Sequence, residues 1–225
     1  MLAEELINQK IPPLRPTDSV RKAGRWFEQL RVAELPVVDR RQYLGLLHES
    51  EISDEVEGSQ PLLVLAPWAD AAAFVYTYQH FYYVMEAAIR HHLSVVPVLN
   101  AQNEYVGLIT ISDAITAFGG LSSAMRGDGS ILVLTMPERD YSLTQISRYV
   151  EEENAKILSA FTAEDESDAY NIRLTLRLNT PDPSRIVATL ERFGFYVSAQ
   201  FRDSSPLGPR PEDERLDSLL HYLNI

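Results

Sequence analysis

The chain contains no cysteine, which excludes a disulfide framework, a zinc–thiolate site and a cysteine nucleophile, and fits a reducing compartment. Basic charge is scarce. Lys and Arg number 20 against 32 Asp and Glu, a formal net charge of −12 shared as −6 on each side of residue 125. Nucleic acid repels such a chain unless a basic patch exists, and no run of Lys and Arg makes one. No apolar run approaches the ~18 residues of a membrane span, and Met1-Leu-Ala-Glu-Glu5 lacks the basic start and apolar stretch of a signal peptide. HExxH, GxSxG, the P-loop and GxGxxG are absent, and His48, His80, His91, His92 and His221 have no metal-ligand spacing with carboxylates. Glu151-Glu-Glu153 and Glu164-Asp-Glu166 read as solvated acidic stretches, and Arg126-Gly-Asp128 as part of a linker. These absences lead to the expectation of an acidic cytoplasmic protein with no catalytic residue, no metal, and neither nucleic acid nor membrane as partner.

What the chain does have is an internal repeat within 225 residues that are 45% hydrophobic, enough for one large or two small cores. Leu35-Pro-Val-Val-Asp39, Tyr43-Leu-Gly-Leu-Leu47 and Ser50-Glu-Ile52 recur as Val96-Pro-Val-Leu-Asn100, Tyr105-Val-Gly-Leu-Ile109 and Ser112-Asp-Ala114. The offset is 61 at the proline and 62 at the glycine, which a one-residue slip in the intervening turn explains. Thr17-Asp-Ser19 caps a helix whose apolar positions are Val20, Ala23, Phe27 and Leu30, matched by Phe81, Val84, Ala88 and His91. Two short strands follow in each copy (Pro36–Val38 and Tyr43–Leu47; Pro97–Leu99 and Tyr105–Ile109), then a helix over Ser50–Glu57 or Ser112–Phe118. A short strand precedes each unit at Leu14 and Val75. Gly45 and Gly107 inside strand patterns point to close approach of another backbone or a ligand.

The order of elements, the X-Pro-Val strand and Gly107-Leu-Ile-Thr-Ile-Ser-Asp113 resemble a CBS domain, and the tandem resembles a Bateman module over roughly residues 8–120, within a domain expected over 1–120, repeat one at about 8–60 and repeat two at about 70–120. The resemblance implies a disc with two clefts and an adenosine-containing ligand such as AMP, ADP, ATP or S-adenosylmethionine, with no cofactor required. By resemblance Thr110 and Asp113 match the phosphate- and ribose-contacting positions. Physically, Asp113 offers acceptors for ribose hydroxyls, Thr110 stands at a helix start, Val75 with Val96 and Pro97 offers apolar walls, and Thr77 a polar contact. Thr110-x-x-Asp113 is equally a capping-box pattern that needs no ligand. In the first cleft Leu14, Leu35 and Pro36 are the wall positions, with His48 for Thr110 and Glu51 for Asp113. Arg90, His91 and His92 read as a solvated helix face within reach of a phosphate. Phe74, Tyr76, Tyr78, Phe81, Tyr82 and Tyr83 read as core, dimer seam or a stacking platform.

Gly119–Gly129 carries four glycines and two serines and reads as a linker over 119–129. Beyond it a strand at Ile131–Leu134, a helix over Ser142–Glu152, strands at Lys156–Thr162 and Tyr170–Leu178, a helix from Pro183 to Phe193 ended by Gly194, and a strand at Phe195–Phe201 spell a ferredoxin-like βαββαβ domain over residues 130–202. After a CBS pair this resembles an ACT domain, and the combination is similar to the bacterial acetoin-utilisation B-type proteins. Amino-acid-binding ACT domains carry a glycine in the first strand-to-helix turn. Here Pro137-Glu-Arg-Asp-Tyr-Ser142 has none, and a dimerisation or packing role is the simpler expectation. A proline-rich tail over 203–225 ends in a short helix with Leu216, Leu219, Leu220 and Leu223 on one face. The expected fold is thus α+β. The expected function is a regulatory, homodimeric ligand sensor acting on a target protein, and the alternative is a ligand-free interaction scaffold.

Overall fold

Helix α1 (Val20–Leu30) and helix α2 (Phe81–His91) each run for 11 residues and begin 61 positions apart. The computed structural model describes residues 1–52, 57–121, 129–165 and 168–202, in two compact units, Met1–Leu121 and Ser122–Ile225, and the fold is α+β. Both helices open on a side-chain cap: the Ser19 hydroxyl accepts the Lys22 N–H at 3.3 Å, and His80 Nδ1 accepts the Tyr82 N–H at 3.3 Å. Val20, Ala23 and Phe27, like Phe81, Val84 and Ala88, fall three and four residues apart, so each helix buries one stripe. Both end on a left-handed residue, Arg31 or His92, at φ 54°.

The hairpins match as closely. Strands β1 (Glu34–Asp39) and β2 (Gln42–His48) pair antiparallel, as do β4 (Val95–Leu99) and β5 (Tyr105–Thr110), with a bulge after Val37 in one and after Val98 in the other. Leu14 bridges in parallel to Val37, and β3 (Val75–Tyr76) in parallel to Val98. Pro36 and Pro97 therefore stand in equivalent places, opposite Leu46 and Leu108. The slip between the copies falls in the hairpin turn, as expected.

The two copies are completed by exchange. The segment leading into the first repeat lies on the second: the Asn8 N–H donates to the Leu108 carbonyl at 2.8 Å, and Ala3 and Leu6 join the core of Val84, Val96 and Ile109. The segment leading into the second lies on the first: the Leu46 N–H donates to the Ala69 carbonyl at 2.8 Å, and Leu62 joins the core of Leu14, Phe27 and Leu47. The polar edges of β2 and β5 are covered in this way. Ala3, Leu6 and Leu62 lie inside the pair expected over 1–120 but between or before the repeat spans of about 8–60 and 70–120. Gly45 and Gly107 serve this approach. At Gly45, with φ +144°, a Cβ would come within 2.6 Å of the Ala69 carbonyl oxygen, and at Gly107 a Cβ would collide with Ile7. Gln42 and Glu104, equivalent residues of the two hairpins, bridge to each other, so the pseudo-twofold axis passes between them.

After β5, helix α3 (Ile111–Leu121) continues past Phe118, whose ring stacks on Phe81 at 5.3 Å, through Gly119 and Gly120. The linker expected at 119–129 therefore starts inside a helix, and residues 122–128 lie outside the described residues. The helix expected over Ser50–Glu57 is represented by a 3-10 turn at Glu49–Glu51, with residues 53–56 outside the described ones.

In the second unit, β6 (Ser130–Pro137), α4 (Leu143–Glu152), β7 (Ile157–Glu164), β8 (Asn171–Leu178), α5 (Ser184–Arg192) and β9 (Tyr196–Arg202) form an antiparallel sheet in the order β7-β8-β6-β9. That is the ferredoxin-like arrangement. Period-two alternation buries Leu132 and Leu134 on β6 and Leu174, Leu176 and Leu178 on β8, where they pack with Ile146, Val150, Ile186 and Leu190 of the helices. The tail, residues 203–225, with the stripe of Leu216, Leu219, Leu220 and Leu223, lies outside the described residues.

Two glycine substitutions separate packing from propensity. Gly24 sits inside α1, and an alanine methyl there would meet nothing within 4 Å, so Gly24→Ala should raise stability by about 0.5–1 kcal/mol. Gly45→Ala should lower it by about 2 kcal/mol or more, through positive φ and contact with unyielding backbone. Denaturant melts of the two variants check both signs.

Candidate functional site

Thr110 pairs with Val95 at the end of the β4–β5 ladder, and α3 begins at the next residue. Asp113 then falls in the first helical turn, and its N–H donates to Thr110 Oγ1 at 3.0 Å. This is the capping half of the Thr-x-x-Asp pattern. The Asp113 carboxylate has a different partner: Asn8 Nδ2 donates to Oδ2 at 2.6 Å. The Lys10 N–H donates to Asn8 Oδ1 at 2.8 Å, which fixes the Asn8 amide with its NH2 toward Asp113. The Asn8 hydrogen bond, then the Thr110 one, and the nearby Lys10 charge hold the Asp113 carboxyl below the usual aspartate range, against a small opposing effect of burial. The result is an ionised carboxylate at the start of an 11-residue helix, with a cation and a hydroxyl beside it.

Of the six residues expected in this cleft, the fold brings together Thr110 and Asp113. Val96 is 0% exposed and Pro97 is buried, both within the interior of the repeat, while Val75, 2% exposed, lines a cavity beside α2 that neither Thr110 nor Asp113 lines. The Thr77 N–H donates to the Leu99 carbonyl at 2.9 Å, at the end of β4 opposite Val95. Four strand residues, about 13 Å, separate it from Thr110. The reason is that β3 pairs with the far half of β4, aiming Val75 into the helix-side core. Half-buried Ile11 and Val32 pack on the cluster that holds Leu108 and Val95, the ladder partner of Thr110. Asn8, Lys10 and Ile11 reach this place through the exchanged lead-in, a relation that no local sequence pattern marks.

The first cleft differs in chemistry on the same backbone. Leu14 and Leu35 are 0% exposed and Pro36 is buried, so these wall positions are core. Glu51 accepts the His48 N–H at 2.8 Å and closes a capping box. His48 Nε2 lies 3.0 Å from Asp70 Oδ2, and His91 Nδ1 lies 3.4 Å from Asp70 Oδ1. The Tyr43 hydroxyl donates to the Asp70 carbonyl at 3.0 Å, and burial raises that hydroxyl above the ordinary tyrosine range. Asp70 thus ties the end of β2 to the end of α2. Among the described residues no three His, Cys, Asp or Glu side chains are placed to hold a metal ion.

Residues 74–120 match the family model of the CBS domain. That match falls on the second repeat. The first repeat carries the same hairpin in the same register, followed by a 3-10 turn where α3 begins in the second. Among solved structures, the CBS domain pair/ACT domain protein of Thermotoga maritima is 18% identical, with 52% of this chain and 96% of that one covered and a TM-score of 0.48. A putative acetoin utilization protein (AcuB) from Vibrio cholerae is 20% identical over 54% of this chain and 92% of that one, with a TM-score of 0.46. CBSX2 in complex with AMP is 15% identical over 53% of this chain and 97% of that one, also at 0.46. No curated protein matches the chain. No helix among the described residues is long and apolar enough to cross a membrane.

Asn8→Ala should move the titration midpoint of Asp113 up toward the ordinary aspartate value, as carbon-detected NMR of the carboxyl would read directly. The sign follows from linkage: a lowered folded value contributes stability that is complete above about pH 4 and fades as pH falls through that value. The acid limb of the stability profile should therefore flatten in the variant.

Proposed function

We propose that the CBS pair is a regulatory ligand-sensing module that binds an adenine nucleotide in the second cleft, in a homodimeric cytoplasmic protein that acts on a target protein and not on a substrate. The observation that carries this is Asp113: ionised, half-buried, oriented by Asn8 and set beside the Thr110 hydroxyl at the start of α3. A carboxylate so held accepts from a ribose diol. The amides opening α3, the Thr110 hydroxyl and Lys10 suit a phosphate. Ile11 and Val32 supply apolar surface for the base. The ACT-like unit is assigned to dimerisation, because its sheet face away from the helices carries exposed Phe161 and Phe201. A cysteine-free, acidic chain fits the cytoplasm.

One observation favours a scaffold role for the first repeat. Its polar cleft positions are satisfied internally, His48 by Asp70 and Glu51 by the His48 amide, leaving little for a nucleotide to gain there.

Calorimetry with AMP, ADP, ATP and S-adenosylmethionine decides between sensing and scaffolding. One of the four should bind saturably to the wild type and at least tenfold more weakly to Asp113→Ala. His48→Ala should leave that affinity within a factor of two. Silence across the panel would overturn the sensing reading.

A further inference from the structure

The repeat invites a position-by-position comparison of its two halves, and one pair is chemically far apart. The seventh residue of α1 is Trp26, and the seventh of α2 is Ala87. The Trp26 indole is half-buried against the first core, packed on the cluster of Leu14, Phe27 and Leu35, with the Lys22 ammonium 4.4 Å from the ring centroid. At the equivalent place in the second repeat, where Ala87 ends at a methyl, there is an open cavity of about 270 Å³. Its walls include Phe74 and Val75 from the lead-in strand and Tyr83 and His91 from α2, with Gln79, Glu86 and Arg90 also on its lining. Val75 is the counterpart of Leu14 and Tyr83 the counterpart of Lys22, so the lead-in strand and the helix beside the indole in one half line the void in the other.

From this correspondence we propose that the Ala87 cavity is a binding site for an uncharged, planar, two-ring aromatic molecule, which takes the place that Trp26 fills in the first repeat. Size allows two rings: an enclosed apolar cavity of about 150 Å³ holds one benzene ring, and this opening, about 270 Å³ with its mouth to solvent, has room for a second. Chemistry supports a flat aromatic guest. Where the first repeat sets an ammonium over the indole face, the second sets the Tyr83 phenol, a partner for stacking. Gln79, whose Oε1 accepts the Tyr76 N–H, supplies an amide donor for a ring nitrogen, and Glu86 supplies an acceptor for a ring N–H. Arg90 is paired with Glu86, so the lining carries balanced charge and does not select an anion. His91 reaches Asp70 and through it His48, which links the cavity to the first cleft. The site is independent of the nucleotide reading, because Thr110, Asp113 and Asn8 do not line it.

The test uses 5-fluoroindole as probe, followed by fluorine NMR on the full chain. Wild type should take up one saturable equivalent. Ala87→Trp, which supplies the indole from within, should weaken binding at least tenfold, while Asp113→Ala should leave it within a factor of two. Trp26→Ala should open the matching space in the first repeat and raise the stoichiometry to two. Tyr83→Ala, on an exposed residue, should weaken binding about fivefold, and it decides the matter if Ala87→Trp does not fold. No saturable uptake by wild type, equal affinity in Ala87→Trp or in Tyr83→Ala, or a single equivalent in Trp26→Ala would each overturn the proposal. Loss of nucleotide binding with retention of 5-fluoroindole, or the reverse, tells the two sites apart.

Discussion

The first unit depends on the reciprocal exchange of lead-in segments. Neither hairpin closes its own core: β5 is covered by the chain around Asn8, and β2 by the chain around Ala69. Each exchange buries backbone N–H and C=O groups that would otherwise form a bare strand edge, and each requires a glycine opposite, Gly45 or Gly107, to admit the neighbour. The same crossing delivers Asn8 and Lys10 to the second cleft and Asp70 to the first. Site chemistry and fold stability therefore rest on one topological fact.

Because the backbone of the two halves is shared, differences between equivalent side chains are free to carry chemistry. Thr110 and Asp113 stand where His48 and Glu51 stand, and Ala87 where Trp26 stands. In the second cleft the lead-in brings an amide donor that holds a carboxylate ready. In the first it brings a carboxylate that two imidazoles already engage. A duplicated scaffold has kept its register while the side chains of its two clefts diverge.

How much of this was legible follows from how local each signal is. Helix stripes such as Val20-Ala23-Phe27 and the alternation Leu174-Leu176-Leu178 depend on neighbours a few residues away, and they stand where periodicity puts them. The cleft walls did not follow, because Val75 and Val96 look like cleft edges in a linear pattern and become core once β3 pairs with the far half of β4. Asn8 was invisible for a related reason: its partner, Asp113, is 105 residues away, and an asparagine near a chain start carries no mark of that reach. The cavity at Ala87 needed both the repeat offset and the packing of Trp26, and only the first is written in the letters.

One interaction explains why two such similar halves pair with each other and not with copies of themselves. Glu34 is only 4% exposed, and its carboxylate accepts both the N–H and the hydroxyl of Ser94, at 3.1 and 2.5 Å. Its own counterpart in the second repeat is Val95, and the counterpart of Ser94 in the first is Ala33. A first repeat set against another first repeat would offer Glu34 the Ala33 methyl in place of a hydroxyl, forfeiting a hydrogen bond to a buried charge worth about 1.5–3 kcal/mol. Two second repeats would make no such bond at all. The arrangement in which the repeats differ is the one in which that carboxylate finds both donors, so a buried charge of little net stabilising value still selects the partner.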